Sequence, residues 1–184
     1  YQGVRLSLDA YLDKTRIPLK IDISTGDVIT PCEISFSYQL MFENRTIPLL
    51  AYPPETVLAE KLETILSRGE ANTRLRDFYD VYILQREDFV VTPDALRYAL
   101  LATCRTRGHE DLLHTYASIL DGVRQSSAMR TQWMKYQSDF DYAAGITWDT
   151  VLDTVETLCM KTLDDHAFGD ELPQEESQFE MHLL

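Results

Sequence analysis

The chain has 184 residues, 45% of them hydrophobic, with 30 Asp and Glu against 17 Lys and Arg and a formal net charge of −13. That length suffices for one domain or a small domain with a helical annex, and no apolar run approaches the length of a membrane-spanning helix. The acidic balance argues against broad, non-specific nucleic-acid binding, which rests on Lys and Arg neutralising phosphates.

Val4, Leu6, Leu8 and Ala10 alternate with Arg5, Ser7 and Asp9. A period of two predicts a half-buried strand. The polar break Asp13-Lys14-Thr15-Arg16 leads to a second strand from Ile17 to Ser24, and Thr25-Gly26-Asp27 reads as a turn. A third strand is expected from Ile34 to Phe42 and a fourth from Thr46 to Tyr52. After Pro53-Pro54 the period changes. Val57, Leu58, Leu62, Ile65 and Leu66 form one helical face that ends near Gly69. Further helices are expected from about Thr73 to Gln85, Ala95 to Arg105, Glu110 to Gln125, Ala128 to Tyr142 and Trp148 to Leu163. The last stretch is acidic: from Asp164 onward there are seven Asp and Glu and no Lys or Arg. The tail from Phe168, poor in periodicity, is expected to be flexible.

Strands first and helices afterwards make an α+β layout: a small mixed sheet over residues 1–52, a helical bundle over 53–165 and an acidic tail over 166–184. Cys32, Cys104 and Cys159 show no CxxC or Cys/His spacing. They are read as buried free thiols of a reducing cytoplasm. His109, His114 and His166 have no Ser or Cys partner at a recognisable spacing, and there is neither a P-loop nor a GxGxxG.

Three segments carry chemistry. In Lys20-Ile-Asp22-Ile-Ser24, the two Ile turn one way and Lys20, Asp22 and Ser24 the other. That is either an exposed polar strand face or a carboxylate held rigidly for a metal. In Glu60-Lys61-Leu62-Glu63, Lys61 falls inside the apolar arc, between Val57 and Ile65, whereas Glu60 and Glu63 fall outside it. A Lys there must reach an anion or a cleft. It either pairs with a carboxylate such as Asp22 or meets a ligand phosphate. On that reading Lys61→Met relieves the desolvated ammonium and is neutral or stabilising. In Arg74-Leu-Arg76-Asp77-Phe-Tyr-Asp80, charges alternate at helical spacing. The segment is either a salt-bridged surface helix or a set of groups orienting a phosphate. Basic residues also concentrate between Lys61 and Arg107, so an acidic chain can still carry a local cationic site.

In order, KIDISTGD (Lys20–Asp27), YPPETVLAEKLETIL (Tyr52–Leu66) and RLRDFYDVYIL (Arg74–Leu84) resemble the signature of AbiEii/AbiGii abortive-infection toxins. These are nucleotidyltransferases of the DNA polymerase beta-like superfamily. Gln132-Trp133-Met134-Lys135-Tyr136 and the helix after it resemble that family's C-terminal bundle. The resemblance implies transfer of a nucleotide from an NTP to an RNA acceptor, the 3′ end of tRNA, with two Mg²⁺ ions and a cognate antitoxin as partner. It gives Asp22 the role of metal-binding carboxylate and makes Asp22, Lys61 and Asp80 catalytic. Lys20, Lys61, Arg74, Arg76 and Asp77 become the groups around the nucleotide. Arg76 stands where the family often has Lys. The family's first motif, a Gly-Ser pair followed by Asp-x-Asp, does not occur in these 184 residues. The expectation is that it precedes Tyr1, that the sheet therefore leaves an exposed edge, and that this polypeptide alone is inactive. The alternative is an inactive relative serving as a binding or structural module.

Overall fold

The computed structural model describes residues 2–86 and 91–164. Its order is four strands, then six helices: β1 (Gln2–Leu12), β2 (Thr15–Thr25), β3 (Ile34–Gln39), β4 (Thr46–Ala51), α1 (Pro54–Arg68), α2 (Leu75–Leu84), α3 (Pro93–Arg107), α4 (Leu112–Gln125), α5 (Ser127–Asp139) and α6 (Trp148–Leu163). The α+β order is the one expected from the change of period. The acidic tail and His166 lie outside the described residues.

The strands pair as two separate antiparallel hairpins, β1 with β2 and β3 with β4, and not as one mixed sheet. The links between consecutive strands are too short for a parallel crossover, so strands that neighbour in sequence pair antiparallel. In the first hairpin Val4 faces Ile23, Leu6 faces Ile21 and Leu8 faces Leu19. The period-two pattern therefore gathers its apolar side chains on one ribbon face. That face stays open: Val4 is 61% and Ile21 49% exposed. The turn residue Asp13 has φ 53°, a left-handed conformation that Asp tolerates. Strand β3 stops at Gln39 and not at Phe42, which is 92% exposed.

The core lies entirely between helices. Leu58, Leu62, Ile65 and Leu66 of α1 share one cluster with Phe78 and Val81 of α2, Leu96 and Leu100 of α3, and Val151, Leu152 and Val155 of α6. Phe78 packs on Trp148 at 5.0 Å between ring centroids, and Trp148 on Trp133 at 5.8 Å. The Trp133 indole N–H donates to the Ile146 carbonyl at 2.9 Å, so its one polar atom is satisfied in the interior. Side-chain caps set three helix starts. Thr92, Ser126 and Thr147 accept the backbone N–H of Ala95, Met129 and Thr150. Gly108 ends α3 at φ 69°, where a side chain would be strained. Helix α5 ends at Asp139, and a 3-10 turn, Asp141–Ala143, takes up the residues expected to extend it. Cys104 and Cys159 are buried free thiols as expected, but Cys32 is exposed. No helix among the described residues is long and apolar enough to cross a membrane.

Candidate functional site

Helix α1 starts at Pro53-Pro54, where a missing N–H costs nothing and φ is already helical. It places Lys61 at its centre. Helix α2 enters through Asn72, which is fully buried and whose side-chain oxygen accepts the Arg74 N–H at 2.7 Å. That turn fixes the first residues of α2 against α1. Lys61 Nζ then lies 2.7 Å from Asp77 Oδ1 and 2.8 Å from Asp80 Oδ2. Asp77 and Asp80 are three apart, so they share one face of α2. Arg76 adds a looser contact to Asp80 at 3.7 Å.

The burial is uneven. Asp77 is 6% exposed, while the side chains of Lys61 and Asp80 are 27% and 23% exposed. Burial by itself depresses the Lys61 pKa, but the hydrogen bonds and charges of Asp77 and Asp80 outweigh it and hold the ammonium above its ordinary value. It is therefore charged at neutral pH. An ammonium has three donors, and two are engaged. The second oxygen of Asp77, Oδ2, is buried without a hydrogen-bond partner.

Of the sequence-derived candidates, Lys61, Arg76, Asp77 and Asp80 come together, and Arg74 stands at the entry of α2. Asp22 is not the partner of Lys61. Its two oxygens accept from Arg5 Nε at 2.5 Å and Arg5 Nη2 at 2.9 Å, directly across the β1–β2 ribbon. This pairing holds the Asp22 carboxyl below the usual range. Lys20 lies on the same exposed ribbon face. Among the described residues no group of three or more Asp, Glu, His or Cys is placed to hold a metal ion. The described residues thus hold no all-protein Mg²⁺ cage, and both oxygens of Asp22, the carboxylate that the resemblance gives to the metal, are engaged by Arg5.

A second charged cluster corrects the sequence reading. Glu63, expected outside the apolar arc, is 2% exposed. One of its oxygens accepts from Arg107 and the other lies 2.7 Å from His109 Nδ1. Arg107 also reaches Glu60 Oε1 at 3.4 Å, and burial raises the Glu60 pKa. These partners arrive from the end of α3, more than forty positions away, and periodicity within α1 cannot reveal them. The available signal was Ala59, which is buried one turn before Glu63 and widens the arc. The cluster borders a cavity of about 660 Å³ that also takes in Asp27, Arg68 and Arg74.

A family model described as the nucleotidyl transferase AbiEii toxin of type IV toxin–antitoxin systems matches residues 1–154. No curated protein and no solved structure matches the chain.

Proposed function

The chain belongs to the AbiEii nucleotidyl transferase toxin family of type IV toxin–antitoxin systems, and from that membership we propose that it takes part in moving a nucleotide from an NTP to an RNA acceptor, the 3′ end of tRNA. An antitoxin is its implied partner. The observation that carries the reading is Lys61, held 2.7 Å from Asp77 and 2.8 Å from Asp80 with one ammonium donor left over. A side chain tied down by two carboxylates is pre-positioned, so little freedom is lost when it meets a phosphate oxygen.

In the proposed transfer an acceptor hydroxyl oxygen bonds to the α-phosphorus, its proton passes to water, and the bond from that phosphorus to the bridging oxygen of the β-phosphate breaks, releasing pyrophosphate. This chain's residues bind and orient. Lys61 holds a phosphate oxygen as a point charge. Asp77 and Asp80 keep it in place. Arg74 and Arg76 add cations at the mouth. The metal ions of such a reaction supply charge neutralisation, and Asp22, once free of Arg5, is the carboxylate this chain would offer them.

A binding or structural module without catalysis is the second reading. It is favoured by the Arg5–Asp22 pairing, which engages both oxygens of the carboxylate meant for a metal. Labelled transfer separates the two. The natural gene product containing this chain is incubated with tRNA, Mg²⁺ and each labelled NTP in turn, beside its Lys61→Met variant. Label on tRNA that disappears with Lys61→Met supports the enzyme. No label with any NTP leaves the binding module.

A further inference from the structure

Beside the Lys61 site lies a second cavity of about 530 Å³, between the start of α2 and the last turns of α5. Gln132, Lys135, Tyr136 and Asp139 occupy one face of α5 at helical spacing and line it, together with Arg74, Arg76, Asp77 and Phe140. Two features set it apart from the rest of an acidic surface. First, cations outnumber anions in its lining, Arg74, Arg76 and Lys135 against Asp77 and Asp139, with Asp77 already paired to Lys61, although the chain carries −13. Arg74 and Lys135 have side chains without an ion-pair partner among the described residues, and Arg76 has only the 3.7 Å contact to Asp80. Second, its rim is aromatic. Phe140 is 42% and the neighbouring Tyr142 49% exposed. Their centroids lie 5.3 Å apart, and Tyr136 lies 4.8 Å from Phe140. The Tyr136 and Tyr142 hydroxyls share a hydrogen bond at 2.9 Å, which fixes the rings relative to each other.

Exposed rings beside unpaired Arg and Lys bind unpaired nucleotides: a ring stacks on a base and a cation meets the adjacent phosphate. A duplex end offers neither splayed bases nor a backbone that can enter such a cavity. We propose that this cavity binds the single-stranded end of the RNA acceptor, with a base stacked on Phe140 and Tyr142 and the flanking phosphates on Arg74 and Lys135. The cavity shares Asp77 with the Lys61 site, so an RNA end lying here stops beside the ammonium. The placement rests on the transfer reading above, but the binding does not require catalysis.

The test is fluorescence anisotropy of the chain with a labelled, unstructured RNA of about ten nucleotides, without NTP or metal. A blunt RNA duplex of the same length is the comparison. The single strand should bind at least about tenfold more tightly than the duplex. Lys135→Gln and Phe140→Leu should each weaken it about tenfold, with thermal midpoints near the parent's, because both positions are exposed. Lys135→Gln should also make the salt dependence shallower by about 0.7 in log–log slope. Equal affinity for the duplex, parent-like binding by both variants, or displacement of the oligonucleotide by excess ATP would overturn the assignment. The last outcome would give the cavity to the NTP. RNA binding lost in the variants, in a protein that transfers no nucleotide, leaves this inference standing and removes the enzyme. Transfer with unchanged RNA binding does the reverse.

Discussion

Lys61 and Asp77 lie on different helices, and their Nζ–Oδ1 contact of 2.7 Å joins the middle of α1 to the first turn of α2. Asp77 is the more deeply buried of the two, with a side chain 9% exposed against 27% for Lys61. That asymmetry decides what each substitution does.

Removing the charge at Lys61 leaves a buried carboxylate with one oxygen already unpartnered. The sequence alone makes Lys61→Met neutral or stabilising, but the paired geometry reverses the sign. Lys61→Met should cost about 1–3 kcal/mol, less than for a fully buried pair because Lys61 is partly solvated. Adding Asp77→Asn should recover part of that loss. Chemical denaturation of the two single variants and the double variant measures the coupling. A Lys61→Met protein as stable as the parent would show that Asp77 finds solvent or another donor.

Glu63 is expected to matter as much for folding. Its carboxylate is nearly fully buried and accepts from Arg107 while contacting His109. Glu63→Ala removes the acceptor and leaves the α3 terminus without its anchor on α1. The expected loss is about 1–3 kcal/mol, visible as a lower denaturation midpoint with an unchanged slope. Arg68→Ala, an exposed change at the same cavity, should stay within about 0.5 kcal/mol of the parent.

Alkaline pH should destabilise the fold through its thiols. Burial raises the Cys104 and Cys159 pKa from 9.0 to about 12. Below pH 9 the thiols are protonated in both states, and their contribution is fully present. Above it the unfolded chain releases these protons and the folded chain keeps them. Stability then falls as pH rises, by up to about 1.4 kcal/mol per pH unit for each thiol, until the folded thiols ionise near pH 12. Tyr116 adds to the loss at higher pH, since burial and its bond to Asp164 also raise its pKa. Denaturant midpoints at a series of pH values should slope downward from about pH 9, and the Cys104→Ala/Cys159→Ala double variant should flatten that slope. A flat profile for the parent would mean the two thiols are solvated.

Local patterns made most of the elements legible. Alternation from Val4 to Ala10 gave β1, and the Leu58, Leu62, Ile65, Leu66 arc gave α1. Pairing was not legible, because period two says which face is apolar but not which strand lies alongside. The site divides the same way. Lys61 stood out because a cation in an apolar arc demands a partner, and the partner proved to be the Asp77 and Asp80 of a motif already singled out. Asp22 stood out for rigidity, yet Arg5, facing it across the hairpin, holds it. The pairing follows from the β1–β2 register, which the two-residue turn Asp13-Lys14 and the matched alternation of the two strands set. Glu63 was misplaced because Arg107 and His109 approach from another helix.

On the proposed function, Lys61 meets the phosphates of a nucleotide and does not merely join two helices. The decisive measurement is NTP affinity of the natural gene product containing this chain, parent against Lys61→Met. It is made by calorimetry in Mg²⁺ at a temperature well below both thermal midpoints, so that both proteins are folded. Lys61→Met should bind the triphosphate at least about tenfold more weakly, the loss of one charge-assisted contact. Parent-like affinity together with a lowered midpoint would contradict it and leave Lys61 as a structural tie between α1 and α2.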